Sequence, residues 1–130
     1  MSHRLLLDTH AFLWWVEDHA SLSAKAKAAI ADPENTCLIS AASAWELAIK
    51  SSLGKLRLPA PIDRFLAEQL PANRFGFLPI EIRHLARVES LPFHHRDPFD
   101  RLLAAQALEE RLVIVSADLV FKKYRVKQIW

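Results

Sequence analysis

Leu5-Leu6-Leu7 is followed at once by Asp8 and then by an apolar helical pattern carried by Phe12, Trp15 and Val16. Three leucines in a row are too short for a helix and read as a strand buried on both faces. Such a strand belongs in a parallel sheet. Asp8 falls at the carboxyl end of that strand, where ligands of open α/β sheets bind. A short acidic residue there can equally cap the following helix. On this stretch alone both readings stand.

The strand-then-helix pattern recurs along the chain. Thr36–Ser40 predicts a second apolar strand, leading into a helix from Ala41 that Gly54 ends. Phe75–Ile80 is a third strand candidate, with a helix over Glu81–Leu91 on which His84 is expected to be partly exposed. Leu112–Ser116 is the clearest buried strand, followed by a short helical turn through Phe121, and Val126–Trp130 can add an edge strand. Between these lie an alanine-rich helix capped by Ser23 and running to about Asp32, a connector of alternating polarity at Lys55–Pro59, and an amphipathic helix from Pro61 to about Leu70. The alternation predicts an α/β fold, with three α/β/α layers and a mostly parallel central sheet of four to five strands. At 130 residues and 52% hydrophobic content, the chain reads as a single domain over 1–130.

Several classes drop out. The longest apolar run, Ala11–Val16, is far short of a membrane span, and the start Met-Ser-His-Arg has no apolar stretch of a signal peptide behind it. Cys37 is the only cysteine, so no internal disulfide forms, and the cytoplasm is the expected compartment. With Gly54 and Gly76 the only glycines, there is no glycine-rich phosphate loop. The net charge of +2 says little, but Lys50, Lys55 and Arg57 form one basic cluster and Lys122, Lys123, Arg125 and Lys127 another. Each is either a solvated face or a surface that meets nucleic-acid phosphates.

Because parallel strands point one way, Asp8, Glu46 and Asp118 gather on one edge of the sheet. Asp100 opens the helix that feeds the last core strand and can lean into the same cleft. Each acid has a local explanation. Ser43-x-x-Glu46 fits a capping box, Asp97-Pro98 is an N-cap with proline at the first helical position, and Asp100 suits the helix dipole. Four converging carboxylates are another matter, since like charges held together are costly without a cation. An oxygen-only set suits Mg²⁺, with Mn²⁺ as a substitute. Zinc fits poorly, because His94 and His95 are adjacent and Cys37 has no partner cysteine.

Four segments carry a resemblance: Leu5-Leu-Leu-Asp8-Thr9-His10, Ser40-Ala-Ala-Ser43-Ala-Trp45-Glu46, Asp97-Pro-Phe-Asp100-Arg-Leu-Leu-Ala-Ala-Gln-Ala, and Val115-Ser116-Ala-Asp118. In order and spacing they resemble PIN-domain ribonucleases, and VapC-type toxins of bacterial toxin–antitoxin modules in particular, over essentially the whole chain. The resemblance implies hydrolysis of RNA phosphodiester bonds with one or two Mg²⁺ ions. It makes Asp8, Glu46, Asp100 and Asp118 the acidic quartet and Ser116 the hydroxyl residue near the metal. Asp97 or Asp100 fills the third acidic position, with Asp100 assigned by its register. Thr9 and Arg96 are auxiliary candidates, and His10, His94, His95 and Arg101 can contact phosphate or serve packing and surface charge. A cognate antitoxin and a homodimer are the implied partners, and Phe12-Leu13-Trp14-Trp15 offers either an apolar surface to cover or more core. Other readings are a catalytically silent PIN-fold binding module, a phosphoacceptor receiver domain and a DNA-directed nuclease. The receiver reading lacks paired acids after the first strand and a lysine after the last. No aromatic platform for stacked bases is evident, so nothing in the sequence separates RNA from DNA.

Overall fold

The computed structural model describes residues 2–130; Met1, the first residue of the expected domain and the start from which no leader was read, lies outside the described residues. Five strands, β1 (Arg4–Leu7), β2 (Thr36–Ser40), β3 (Gly76–Leu78), β4 (Val113–Val115) and β5 (Gln128–Ile129), form one sheet in the order β3-β2-β1-β4-β5. Every pairing is parallel, so the sheet is wholly rather than mostly parallel. Leu5, Leu6 and Leu7 are all 0% exposed, as a strand covered on both faces requires.

Seven helices cover the sheet among the described residues: α1 (Thr9–Val16), α2 (Ala24–Ala31), α3 (Ala41–Ser52), α4 (Ile62–Ala72), α5 (Ile82–Ser90), α6 (Pro98–Glu110) and α7 (Val120–Lys123). Side chains alternate across β1 and split the core in two. Leu5 and Leu7 pack with Phe12, Ala26, Ile30 and Phe65 of α1, α2 and α4. Leu6 packs on the other side with Ile114 and with Leu103, Ala104 and Ala107 of α6. The result is the expected three-layer α/β/α arrangement.

Some local expectations are corrected. The capping box at Ser43 and Glu46 does not form, because Ser40 caps α3 by accepting from the Ala42 N–H at 2.9 Å. Glu46 therefore lies in the second turn and is free for other work. The edge strand expected over Val126–Trp130 shrinks to Gln128–Ile129 while Val126 turns into the core. His84 is fully buried rather than partly exposed. Its Nδ1 accepts from the Glu81 N–H at 3.0 Å, which leaves Nε2–H to donate to Glu110 Oε2 at 3.1 Å. Arg101 is buried too, donating to the carbonyls of Val88 and Pro92 and to the Tyr124 hydroxyl, so it clamps α6 to the segment before it rather than contacting phosphate. No helix of the described residues is long and apolar enough to cross a membrane.

Gln106, buried on α6, joins these parts. Its Oε1 accepts from the Ser40 hydroxyl at the end of β2, and its Nε2 donates to the Pro79 carbonyl at 3.3 Å. Gln106→Leu strands both groups in the interior and is expected to cost about 1–3 kcal/mol for each. Urea unfolding measures this, and an unchanged midpoint would show that the network holds nothing.

Candidate active site

In the order β3-β2-β1-β4-β5 the chain leaves β1 toward one side and later returns to its other flank as β4. A crevice opens at such a switch point, outside the carboxyl ends of the strands. Asp8 and Asp118 follow the two central strands. The Asp8 N–H donates to the Val115 carbonyl at 3.1 Å, which extends the ladder one step and fixes Asp8 against β4. Asp8 Oδ1 accepts from the Ala11 N–H at 2.8 Å. Asp8 therefore caps α1 as read, and its position at the end of β1 leaves it facing the crevice.

A cleft of about 300 Å³ lies there, lined by the carboxylates of Asp8, Glu46, Asp97, Asp100 and Asp118, together with Thr9, His10, Trp14 and Lys50. All four acids of the expected quartet reach it, and so does Asp97. Asp97 also caps α6, Oδ1 accepting from the N–H groups of Phe99 and Asp100. Ser116 is fully buried beneath, its Oγ accepting from the Asp118 N–H at 3.0 Å. Arg96 is exposed and is not among the residues lining the cleft. His94 packs its ring against Tyr124 at 5.1 Å. Of the second basic cluster, Arg125 and Lys127 line a separate hollow with Arg4 and Arg111, near the amino ends of β1 and β4 and so away from the carboxylates.

The acids are not equivalent. Glu46 has both oxygens engaged: Oε1 accepts from the Thr9 hydroxyl at 2.6 Å, and Oε2 pairs with Lys50 at 2.8 Å. Thr9 thereby joins α1 to α3, and Lys50 serves a carboxylate rather than the basic cluster in which it was read. The i,i+4 spacing of Glu46 and Lys50 was the available signal for that pair. Burial pushes the Asp8 carboxyl above the usual carboxylate range, against the pull of the Ser116 hydroxyl, the Ala11 N–H and the nearby His10, while Asp118 adds repulsion. Burial likewise pushes Asp100 up to about 6, against the hydrogen bond from His95, with Asp97 and Asp118 adding repulsion.

His95, read from the sequence as a phosphate contact or as packing and surface charge, stands beside a carboxylate instead. Its Nε2 lies 2.9 Å from Asp100 Oδ2, and His95, Asp97 and Asp100 each offer a ligand atom within 4.8 Å of the others. A nitrogen donor therefore stands beside the carboxylates, which amends the oxygen-only reading. The set remains dominated by hard oxygen donors that repel one another, and a divalent cation fits that chemistry.

Comparison with known proteins agrees with this geometry. A family model described as PIN domain matches residues 5–127. Ribonuclease VapC16 of Mycobacterium tuberculosis is 39% identical over 70 residues, an alignment covering 51% of this chain and about half, 48%, of that protein. Ribonuclease VapC22 of the same organism is 29% identical over 123 residues, covering 93% of this chain and 92% of that one. Among solved structures, VapBC2 from Rickettsia felis bound to a DNA fragment from their promoter is similar at a TM-score of 0.71 and 17% identity, covering 96% of each chain. VapBC-1 from nontypeable Haemophilus influenzae is similar at a TM-score of 0.63 and 15% identity, also covering 96% of each. These two carry the fold alone.

A folded-state pKa of about 6 for Asp100, against about 3.9 in an unfolded chain, has a testable sign. Between those values the native state holds a proton that the unfolded state has released. The group's contribution is complete below about pH 4 and is lost as pH rises through about 6. In the presence of EDTA, the thermal midpoint is expected to fall over that interval. Asp100→Asn should flatten the fall and melt higher than the parent at neutral pH. A variant that melts lower there would contradict the charge repulsion described.

Proposed function

The chain belongs to the PIN-domain family, and on that premise we propose that it is a Mg²⁺-dependent endoribonuclease, the toxin of a toxin–antitoxin module acting in the cytoplasm. The observation that carries this reading is the meeting of Asp8, Asp100 and Asp118 in one cleft at the switch point of the sheet. Relatives named as ribonucleases support the choice of RNA over a silent fold.

Asp8 and Asp118, fixed by the ends of β1 and β4, are the first residues to hold a metal, joined by Asp100 or Asp97. Mg²⁺ held there would supply Lewis-acid polarisation of the scissile phosphate and lower the pKa of an attacking water. Glu46, held between Lys50 and the Thr9 hydroxyl, would orient the attacking water. His95 holds Asp100 in place by its hydrogen bond. Ser116 steadies the loop between β4 and Asp118. His10, on the rim, brings a donor to the phosphate.

The exposed apolar side chains, Ile82 and Leu85 on α5 among them, support a protein partner that covers them, an antitoxin or a second copy of the chain. The chain acts as one domain.

Cleavage of a structured RNA by the purified protein, with Mg²⁺, with Mn²⁺ and with EDTA, tests the reading. Cleavage should require the metal. Asp8→Asn and Asp118→Asn should each lower it by at least the roughly 100-fold that loss of even an outer partner of a metal site costs. Both variants should stay folded, since neutralising one carboxyl relieves repulsion. Full activity in either variant would remove that residue from the metal site, and cleavage that persists in EDTA would remove the metal.

A further inference from the structure

Beside the carboxylate cleft lies a second hollow of about 290 Å³, and the two share Thr9, His10, Trp14 and Lys50 as common walls. Glu17 is the one acid lining the second hollow; Leu13, Leu47 and Leu56 give it apolar walls and Lys55 adds a cation. A hollow with aromatic and leucine walls and two lysines, opening beside the carboxylates, suits the two-part chemistry of a nucleotide: a flat apolar ring joined to an anion.

The aromatic wall is built rather than incidental. Trp14 follows His10 by one helical turn on α1, the helix that Asp8 caps, and the two rings lie 5.4 Å apart at 31°. His19 stacks on Trp14 at 5.8 Å and 22°, and Trp130 meets it at 5.8 Å and 53°. Three aromatic neighbours hold the indole in one orientation, while His10 at the outer end of the stack is exposed. A preset ring surface captures a base at little ordering cost. Lys50, held by Glu46, stands where the two hollows join.

We infer that this hollow is a base-stacking subsite, in which one unpaired nucleobase next to the scissile phosphate stacks on the His10–Trp14 pair while Lys50 and Lys55 flank its phosphate. The inference rests on the ribonuclease reading above and assigns Trp14 as a positioning residue within it. His10 and Trp14 lie one helical turn apart in the sequence, but His19 and Trp130 complete the platform only in the fold.

Binding without turnover tests it. Short single-stranded RNAs carrying 2-aminopurine, a fluorescent base quenched by stacking, are titrated into the intact protein with Ca²⁺ in place of Mg²⁺. The same RNAs are then made abasic at each position in turn. At one position the emission should be quenched, and removal of that base should weaken binding about 10-fold, within the range that one stacked base carries. In Trp14→Ala the intact and abasic RNAs should bind equally, and Trp14→Phe should restore the preference. Binding that is indifferent to abasic substitution at every position overturns the subsite alone, using the unaltered protein and therefore free of any folding defect. A folded Trp14→Ala protein that keeps the 10-fold preference overturns it as well. Failure of the unaltered protein to bind any RNA overturns both the subsite and the ribonuclease reading.

Discussion

The register between β1 and β4 is the constraint on which the rest of this molecule depends. Leu7 lies opposite Val115, and the Asp8 N–H reaches the Val115 carbonyl one step further along. That pairing sets Asp8 beside the loop carrying Asp118, and the parallel direction of both strands turns their ends to the same edge. A slip by one residue would move Leu6 into the wrong core and Asp8 away from the cleft. The continuous apolar character of β1 is therefore what places a carboxylate. Two separate cores, one on each face, hold the register from both sides.

Against that rigidity the site stores repulsion. Five carboxylates line one small cleft, and the chain offsets the cost unevenly. Glu46 has Lys50 and Thr9, Asp100 has His95, and Asp97 has the first N–H groups of α6. Asp8 is nearly buried and answers with a hydroxyl and one backbone N–H, so its charged form is disfavoured in the protein alone. A cation would reverse that balance. Asp8 and Asp97 each cap a helix and line the cleft at once, since the N–H groups of a helix's first turn steady an anion without neutralising it.

Much of this was legible in the sequence because it depends on short-range pattern. Apolar runs bounded by an acid or serine gave the strands, and Asp97-Pro98 gave the start of α6. Parallel strand direction then brought Asp8, Glu46, Asp100 and Asp118 to one edge before any coordinates. What escaped depends on which way a side chain turns. Ser40, not Ser43, caps α3, because the helix begins directly at the strand's end with no intervening loop. His84 is buried because Glu110, on α6, comes alongside α5 to receive its ring N–H. Arg101 turns inward to donate to the backbone carbonyls of Val88, Leu91 and Pro92, contacts that close only when the segment before α6 folds back on it. His95 and Trp14 join the site through contacts that neither composition nor spacing encodes.

The central claim is that the carboxylates at the ends of β1 and β4 form one divalent-cation site. Mn²⁺ binding followed by electron paramagnetic resonance tests this most directly, comparing the intact protein with an Asp8→Asn, Asp118→Asn double variant. The account predicts saturable binding in the intact protein, competed by Mg²⁺, and its loss in a double variant that remains folded. Equal Mn²⁺ binding by both proteins would contradict it and place the metal elsewhere.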